Sequence, residues 1–455
     1  MSSYELQVQR QRLEVVEAQL AAHRYEIQRL DRERLLLVTQ LQRSVFVLTL
    51  PPEVTALVFT FCLGTYDTDL FLSRTSPLNL ARVCRQWRHV AVGTPELWDT
   101  TPPMPMDDHL TPAAVDCWAR RAGNRALNLT LVRVDGGRVT DILRRHAGQL
   151  GRLHILTQRP HLDLSPLCVF PQLSHLTLAC VNIPSFRGIW TLELNRAPAL
   201  RHLSLRCTGV NFGANSPWAQ LTTLALKDVG ITDILDILRR AIALRELEVE
   251  TMLYRWAEVS PVNHSSLVSL DIVTACQDEP LLEHLNLPSL RRFRLGRYHG
   301  NGMAGHHMYT TASLLERVSG SLENWTVCLD LYIPTVHLKP LSKLTSLEVV
   351  RSSLGPYNRD LIQALDRRLH PTILPQLQSL ILSECRADDA NSTLFEALES
   401  RCVSRHPTRA ALRSFAFVWE HCHRWSPASV DLTPLWALAA HGLRVHVGSR
   451  PASDL

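Results

Sequence analysis

Lysine is almost missing from this chain: Lys227, Lys339 and Lys343 are the only three among 48 basic residues, and all the others are arginine. Abundant Ala, Arg and Pro beside so little Lys is the pattern that GC-rich coding gives. The formal net charge of +5 is small for 455 residues. It offers no clustered basic face, so nucleic acid is not an expected partner. No run approaches the ~20 apolar residues needed to cross a bilayer, and no membrane partner is expected. The N-terminal stretch carries no apolar h-region. No secretory signal is therefore expected, and the protein is placed in the cytoplasm, the nucleus or both. The 11 cysteines are odd in number, scattered, and never spaced Cys-x-x-Cys. They fit reduced thiols rather than a disulfide framework.

The common chemical motifs are also missing. There is no Gly-x-Ser-x-Gly elbow and no P-loop lysine motif. His306-His307 and His421-Cys422-His423 are too compact, and lack companions, for a tetrahedral zinc site. Gly300, Gly302 and Gly305 match a dinucleotide fingerprint in letters. That motif needs a strand running straight into the glycines and a helix opening on them. Here the strand is expected to end near Leu295 and the next helix to begin near Thr311, so a connecting loop is expected instead. The acid pairs Asp107-Asp108 and Asp388-Asp389 read as loop or capping residues. The glycosylation-type sequences beginning at Asn128, Asn263, Asn324 and Asn391 are expected to be chance. No catalytic residue, metal or cofactor is expected.

What is present is a folded composition, 45% apolar and 20% charged, on a chain long enough for two or three structural units. Residues 4–44 hold a heptad pattern. Leu6, Leu13, Leu20, Ile27 and Leu41 fall seven or fourteen apart, and Val16, Leu30 and Leu37 fill the companion positions. Gln9, His23 and Arg34 are polar at the seam. A helix of this length runs about 60 Å. It either folds back on its neighbours or forms a dimerising coiled coil through residues 4–44.

Leu50-Pro51-Pro52-Glu53-Val54 then opens a short amphipathic helix that can run to Cys62. Ser76-Pro77 reads as an N-cap followed by Pro at the first helical position. Leu80, Val83, Cys84, Trp87, Val90 and Ala91 draw one helical face with Trp87 at its centre. Thr94-Pro95-Glu96-Leu97-Trp98 closes the stretch. Residues 101–126 begin as a Pro-rich linker and continue as a short helix from Thr111-Pro112 to about Gly123. Leu127–Leu131 alternates as a strand.

From there a unit Leu-x-x-Leu-x-Leu recurs. Early copies are Leu150/Leu153/Ile155, Leu173/Leu176/Leu178, Leu200/Leu203/Leu205, Leu221/Leu224/Leu226 and Leu244/Leu247/Val249. Later ones run from Leu267/Leu270/Ile272 and Leu290/Phe293/Leu295 to Leu412/Phe415/Phe417, with Leu443–Val447 as a last strand. Helical stretches are expected at 232–241, 358–369 and 392–401. A period of 20–29 residues with this pattern is that of leucine-rich repeats, whose units cannot bury their apolar faces alone. The predicted fold class is therefore α/β: a coiled-coil helix (1–47), a small helical domain (48–100), a linker and short helix (101–126), a repeat solenoid (127–448) and a tail (449–455). The solenoid carries a parallel sheet on its concave face and helices and turns on its convex face.

Residues 48–98 resemble an F-box, carried by Leu50-Pro51-Pro52-Glu53, Val83-Cys84-Arg85-Gln86-Trp87-Arg88 and Pro95-Glu96-Leu97-Trp98 in that order. Two departures are a long Gly64–Thr75 stretch and Thr55 where an apolar residue is usual. The resemblance is to F-box and leucine-rich-repeat proteins of the fungal type. It implies a substrate receptor of a Skp–cullin–F-box ubiquitin ligase, without chemistry of its own. It also implies docking on the Skp adaptor, and through it cullin, by Leu50, Pro51, Val54, Leu57, Val58, Leu80, Val83 and Trp87. Some of these must instead hold the helices together. Strand alternation puts His175, His202, Arg206 and Lys227 on the concave face, followed by Glu246, Glu248, Glu250 and Asp271, then Arg292 and Arg294. These basic, acidic and basic bands are the expected substrate contact, although exposed strand positions are polar in any protein. The alternative is a scaffold that uses the coiled coil and repeats without cullin.

Overall fold

The computed structural model describes residues 3–44, 50–62, 76–106, 108–134, 136–157, 169–180, 190–192, 196–206, 210–212, 217–227, 229–251, 260–274, 280–297, 309–328, 338–350, 358–383, 392–402, 410–418 and 431–448. The glycine motif at 300–305, both histidine clusters and the Gly64–Thr75 stretch lie outside the described residues. The chain forms two compact units: residues 1–102 with 116–125, and residues 103–115 with 126–455.

The first unit begins with helix α1 (Ser3–Ser44). Leu, Arg, Gln and Glu dominate it, and no Gly or Pro interrupts it, which explains its uninterrupted 42 residues. Three short helices follow: α2 (Pro52–Cys62), α3 (Pro77–Val83) and α4 (Arg85–Gly93). Ser76 caps α3 by accepting from the Leu78 N–H, with Pro77 next in the first helical position. The single face expected over 80–91 is in fact shared by two helices. Cys84 adopts extended backbone between them, and its Sγ accepts from the Trp87 N–H at 3.4 Å to cap α4. A one-turn helix, Pro95–Leu97, completes the segment. Helix α5 (Thr111–Ala122) is closed by Gly123 at φ 62°, a left-handed conformation that glycine adopts without penalty.

The second unit is built on one sheet of 14 strands, paired in chain order and parallel throughout. In order these are β1 (Met104–Pro105), β2 (Leu127–Val132), β3 (Leu150–Thr157), β4 (His175–Cys180), β6 (His202–Arg206), β8 (Thr223–Lys227), β9 (Glu246–Thr251), β11 (Ser269–Thr274), β13 (Arg292–Arg297), β14 (Asn324–Cys328), β15 (Ser346–Val350), β16 (Ser379–Ser383), β17 (Ser414–Val418) and β18 (Arg444–Gly448). Two small side ladders join β5 (Trp190–Leu192) to β7 (Val210–Phe212) and β10 (Val262–Asn263) to β12 (Leu285–Asn286). Met104 and Pro105, expected in a linker, instead form the edge strand. Pro suits an edge because it has no N–H to give to a ladder.

The expected repeat register is the observed one. Leu153, Leu176, Leu203, Leu224, Leu247, Leu270, Phe293, Trp325, Leu347, Leu380 and Phe415 pair strand to strand in one buried row. The third Leu of each copy makes a second row, from Ile155 to Phe417, and the first Leu is buried in every copy. Each such side chain contributes roughly 1.5–3 kcal/mol relative to exposure, and every unit needs its neighbours to collect it. Strand entry repeats as well. The N–H groups of Arg245 and Glu246 both donate to the Thr222 carbonyl, and those of Val268 and Ser269 both donate to Arg245. Gly151 sits where the β2–β3 register shifts. A Cβ there would lie 2.8 Å from that of Ala126, so only glycine allows the approach.

Connections between strands carry helices where the spacing allows: α6 (Gly136–His146), α7 (Ile231–Arg240), α8 (Tyr309–Val318), α9 (Asn358–Leu365), α10 (Ser392–Cys402) and α11 (Thr433–Ala440). In the shorter, 21-residue step from Leu200 to Leu221 the described residues hold β7 and a one-turn helix, Trp218–Gln220. Helix α9 stops four residues before the expected Leu369. Asp366 turns the chain there by accepting from the Arg368 N–H and guanidinium. Beside it Arg401 is fully buried, with its guanidinium donating to the carbonyls of Leu365, Leu374 and Ile373. Burial, with the nearby Arg367 charge, pushes the Arg401 pKa down to about 9.

Candidate functional site

Two surfaces hold the residues singled out from the sequence. The first is the set of short helices in residues 50–98. Helix α2 has two apolar faces. Thr55 and Phe59 point inward and are 2% and 1% exposed. Thr55, the polar departure, is accommodated because its hydroxyl donates back to the Pro51 carbonyl at 3.1 Å. The opposite face presents Val54, Leu57, Val58 and Phe61 to solvent, at i, i+3, i+4 and i+7. Phe61 is the extreme case at 82% exposed. On this helix the sequence reading names no contact residue beyond Val58, although the same spacing points to Phe61. Leu78, 44% exposed on α3, was also missed.

The remaining expected contact residues divide. Pro51 and Val83 are exposed, and Leu50 and Leu80 are half-buried. Trp87 does not stand outward at the centre of a face. Its ring packs edge-on against Phe59 at 4.9 Å between centroids, so it joins α4 to α2. Leu97 and Trp98 of the closing motif are internal too. Trp98 is fully buried, and its indole N–H donates to the Ala91 carbonyl at 2.7 Å. The Arg121 guanidinium lies 4.2 Å over its ring and Trp118 meets it edge-on. Arg125 bridges Glu96 and Asp99.

The second surface is one face of the sheet, where all ten expected residues lie. His175, His202, Glu246 and Arg292 occupy one row across the strands, and Glu248, Asp271 and Arg294 another. Arg206, Lys227 and Glu250 share a third. The charge bands are joined to one another. Arg292 reaches across Ser269 to Glu246 at 2.9 Å, Arg206 reaches Glu248 at 3.2 Å, Lys227 meets Glu250 at 2.6 Å and Arg294 meets Asp271 at 3.3 Å. Burial, reinforced by Glu248, raises the Asp271 carboxyl above its ordinary value, while Arg294 opposes this. Farther along, the face turns to hydroxyls: Ser346, Ser379 and Ser414 line one row. Glu348, 9% exposed, accepts from Thr326 and Ser383.

The early strands carry imidazoles. The rings of His175 and His202 stack at 4.0 Å between centroids and 11° between planes. Burial, then the neighbouring His202 and Arg152, push the His175 pKa down to about 4. His202 is lowered by burial and Arg152, and His154 by burial and Arg206. All three shifts favour the neutral ring. Among the described residues no group of three His, Cys, Asp or Glu side chains is placed to hold a metal, and no helix is long and apolar enough to cross a membrane.

Comparison with known proteins bears on the first surface. Residues 47–100 match the F-box-like family, so the chain carries an F-box-like domain there. No curated protein matches the chain. A crystal structure of a protein from Bacteroides fragilis, a structural-genomics target, is similar at a TM-score of 0.34 and 10% identity, over 73% of this chain and 78% of that one. A likeness that faint carries no argument.

Proposed function

We propose that this chain is the substrate-recognition subunit of a Skp–cullin–F-box ubiquitin ligase. The observation that carries this reading is the outward apolar face of α2 within a segment matching the F-box-like family. Val54, Leu57, Val58 and Phe61, with Leu78 and Val83 on α3, are the proposed contact with the Skp adaptor. Leu50, Pro51 and Leu80 flank them, and Trp87 holds the helices in place. Each large apolar side chain covered at that contact could contribute roughly 1.5–3 kcal/mol, before the costs of association.

The chain-ordered parallel strands with helices or turns between them support a leucine-rich-repeat solenoid, with the sheet on its concave face. Its charged and imidazole-bearing strands β3 to β13 are the proposed contact with a protein substrate. The reading needs no bond chemistry from this chain. It raises the effective concentration of substrate near a charged ubiquitin enzyme supplied by partner subunits.

A scaffold without cullin is the second reading, supported by the length of α1. Co-purification separates the two. Tagged full-length chain, expressed with the Skp adaptor and cullin, is expected to retain both in one complex. Retention of the adaptor without cullin, or of neither, would leave the scaffold.

A further inference from the structure

Helix α1 carries a stripe that nothing among the described residues covers. Leu13, Val16, Leu20, Ile27, Leu30 and Leu37 follow one another at heptad spacing, and each is between 48% and 59% exposed. The charges beside the stripe make one ion pair within the described helix, Arg29 to Glu26 at 2.6 Å. An isolated helix so apolar along one side and so regular is half of an interface.

We propose that α1 pairs with α1 of a second copy of this chain, and that the two helices run antiparallel. The heptad assignment puts Leu13, Leu20, Ile27 and Arg34 at one seam position and Gln9, Val16, His23, Leu30 and Leu37 at the other. Side by side in parallel, each residue meets itself. Arg34 then faces Arg34 and His23 faces His23 inside the seam, and Glu26 meets Asp31 on the flank. Run antiparallel, residues whose numbers sum to 43 face each other. Leu13 meets Leu30, Val16 meets Ile27, and Leu20 lies against His23. The two most polar seam residues, Gln9 and Arg34, fall opposite one another, where the amide oxygen can accept from the guanidinium.

The flanks agree. In this register Arg12 meets Glu33, Arg10 meets Asp31, and Glu17 meets Arg24, each pair occurring twice by symmetry. Glu26, already held by Arg29, meets the neutral Gln19. No like charges are opposed. Sliding by one heptad puts Arg34 opposite Val16 in one direction and Gln9 opposite Ile27 in the other. The polar pair therefore fixes the register as well as the direction, the role that buried polar residues play in coiled coils.

The direction has a structural consequence. Antiparallel pairing holds the C-terminal ends of the two α1 helices roughly 65 Å apart along the rod axis. Each end leads into an F-box-like segment, so the two segments are kept separate. A parallel pair would bring them together. This assembly does not rest on adaptor binding.

Light scattering on the purified full-length chain at tens of micromolar is expected to give twice 51.4 kDa. Leu20→Glu with Leu30→Glu should give the monomer mass with an unchanged melt of the rest of the chain. Arg12→Glu alone and Glu33→Arg alone should each weaken dimerisation about tenfold, since each turns two attractive contacts into repulsive ones. The two changes together should restore the wild-type constant. In a parallel pair Arg12 faces Glu17 instead. Recovery by Arg12→Glu with Glu17→Arg, rather than with Glu33→Arg, would overturn the arrangement. So would a wild-type monomer or a larger oligomer.

Discussion

The F-box-like helices and the sheet face treat their surface residues in opposite ways. Helix α2 turns four large apolar side chains into water, and nothing among the described residues covers them, while its inward face carries Thr55 and Phe59, with Trp87 of α4 packed on Phe59. The sheet face looks more eventful in sequence, with bands of opposite charge, yet Arg206, Lys227, Arg292 and Arg294 are each already paired within the chain. An unpaired apolar side chain gains on association through burial alone. A charge that already has a counter-ion must first be separated from it, so charge bands overstate what a surface has left to offer.

The largest expected effect tests whether the inner side of the helical segment is structural. Trp98→Ala removes a fully buried ring with its hydrogen bond and its cation contact, and is expected to cost about 3–5 kcal/mol in denaturant unfolding of that unit. A loss within 1 kcal/mol would place Trp98 elsewhere. Arg401→Met, in the sheet unit, withdraws a buried guanidinium from three carbonyls, of which Leu374 keeps the Leu377 N–H, and is expected to cost about 3 kcal/mol. A smaller effect comes from the imidazole strands. The His175 pKa is depressed to about 4 from 6.5. Between those values the unfolded chain binds a proton that the folded sheet refuses. Stability should therefore fall as pH drops from 6.5 to 4, and the loss is complete below that window. His175→Gln should flatten this slope in pH-dependent thermal melts, and an unaltered slope would contradict the half-buried stack. Smallest of all is Arg292→Ala. Its pair with Glu246 is about half exposed on both sides, so its loss should change unfolding by well under ~1 kcal/mol. A larger cost would mean that the charge bands hold the sheet together.

Much of this was legible in the sequence, for identifiable reasons. The Leu-x-x-Leu-x-Leu unit fixes which side chains enter the core, because strand alternation leaves no other register once three positions per copy are apolar. The Ser76-Pro77 cap was equally plain. What the sequence hid depended on contacts across elements. Cys84 reads as one more apolar position of a continuous helix, and only its extended backbone divides α3 from α4. Trp87 sits at the centre of an apolar pattern whether it faces a partner or Phe59. Phe61 was overlooked although it continues the spacing of Val54, Leu57 and Val58. The ion pairs on the sheet join residues 23 to 46 positions apart, and two of them, Arg292 to Glu246 and Arg206 to Glu248, skip a strand, which no local pattern reveals.

The adaptor contact is the central claim, and binding of the Skp adaptor to outward-face variants tests it most directly. Wild-type chain, Leu57→Glu and Phe61→Glu would be titrated with purified adaptor by calorimetry, with unfolding of each variant measured alongside. The account predicts tight binding by wild type and at least a hundredfold loss in each variant, given roughly 1.5–3 kcal/mol per apolar side chain plus the cost of burying a charge. Both variants should unfold as wild type does, because neither side chain is buried in the free chain. Full binding by folded Leu57→Glu and Phe61→Glu, or no binding by folded wild type, would contradict it.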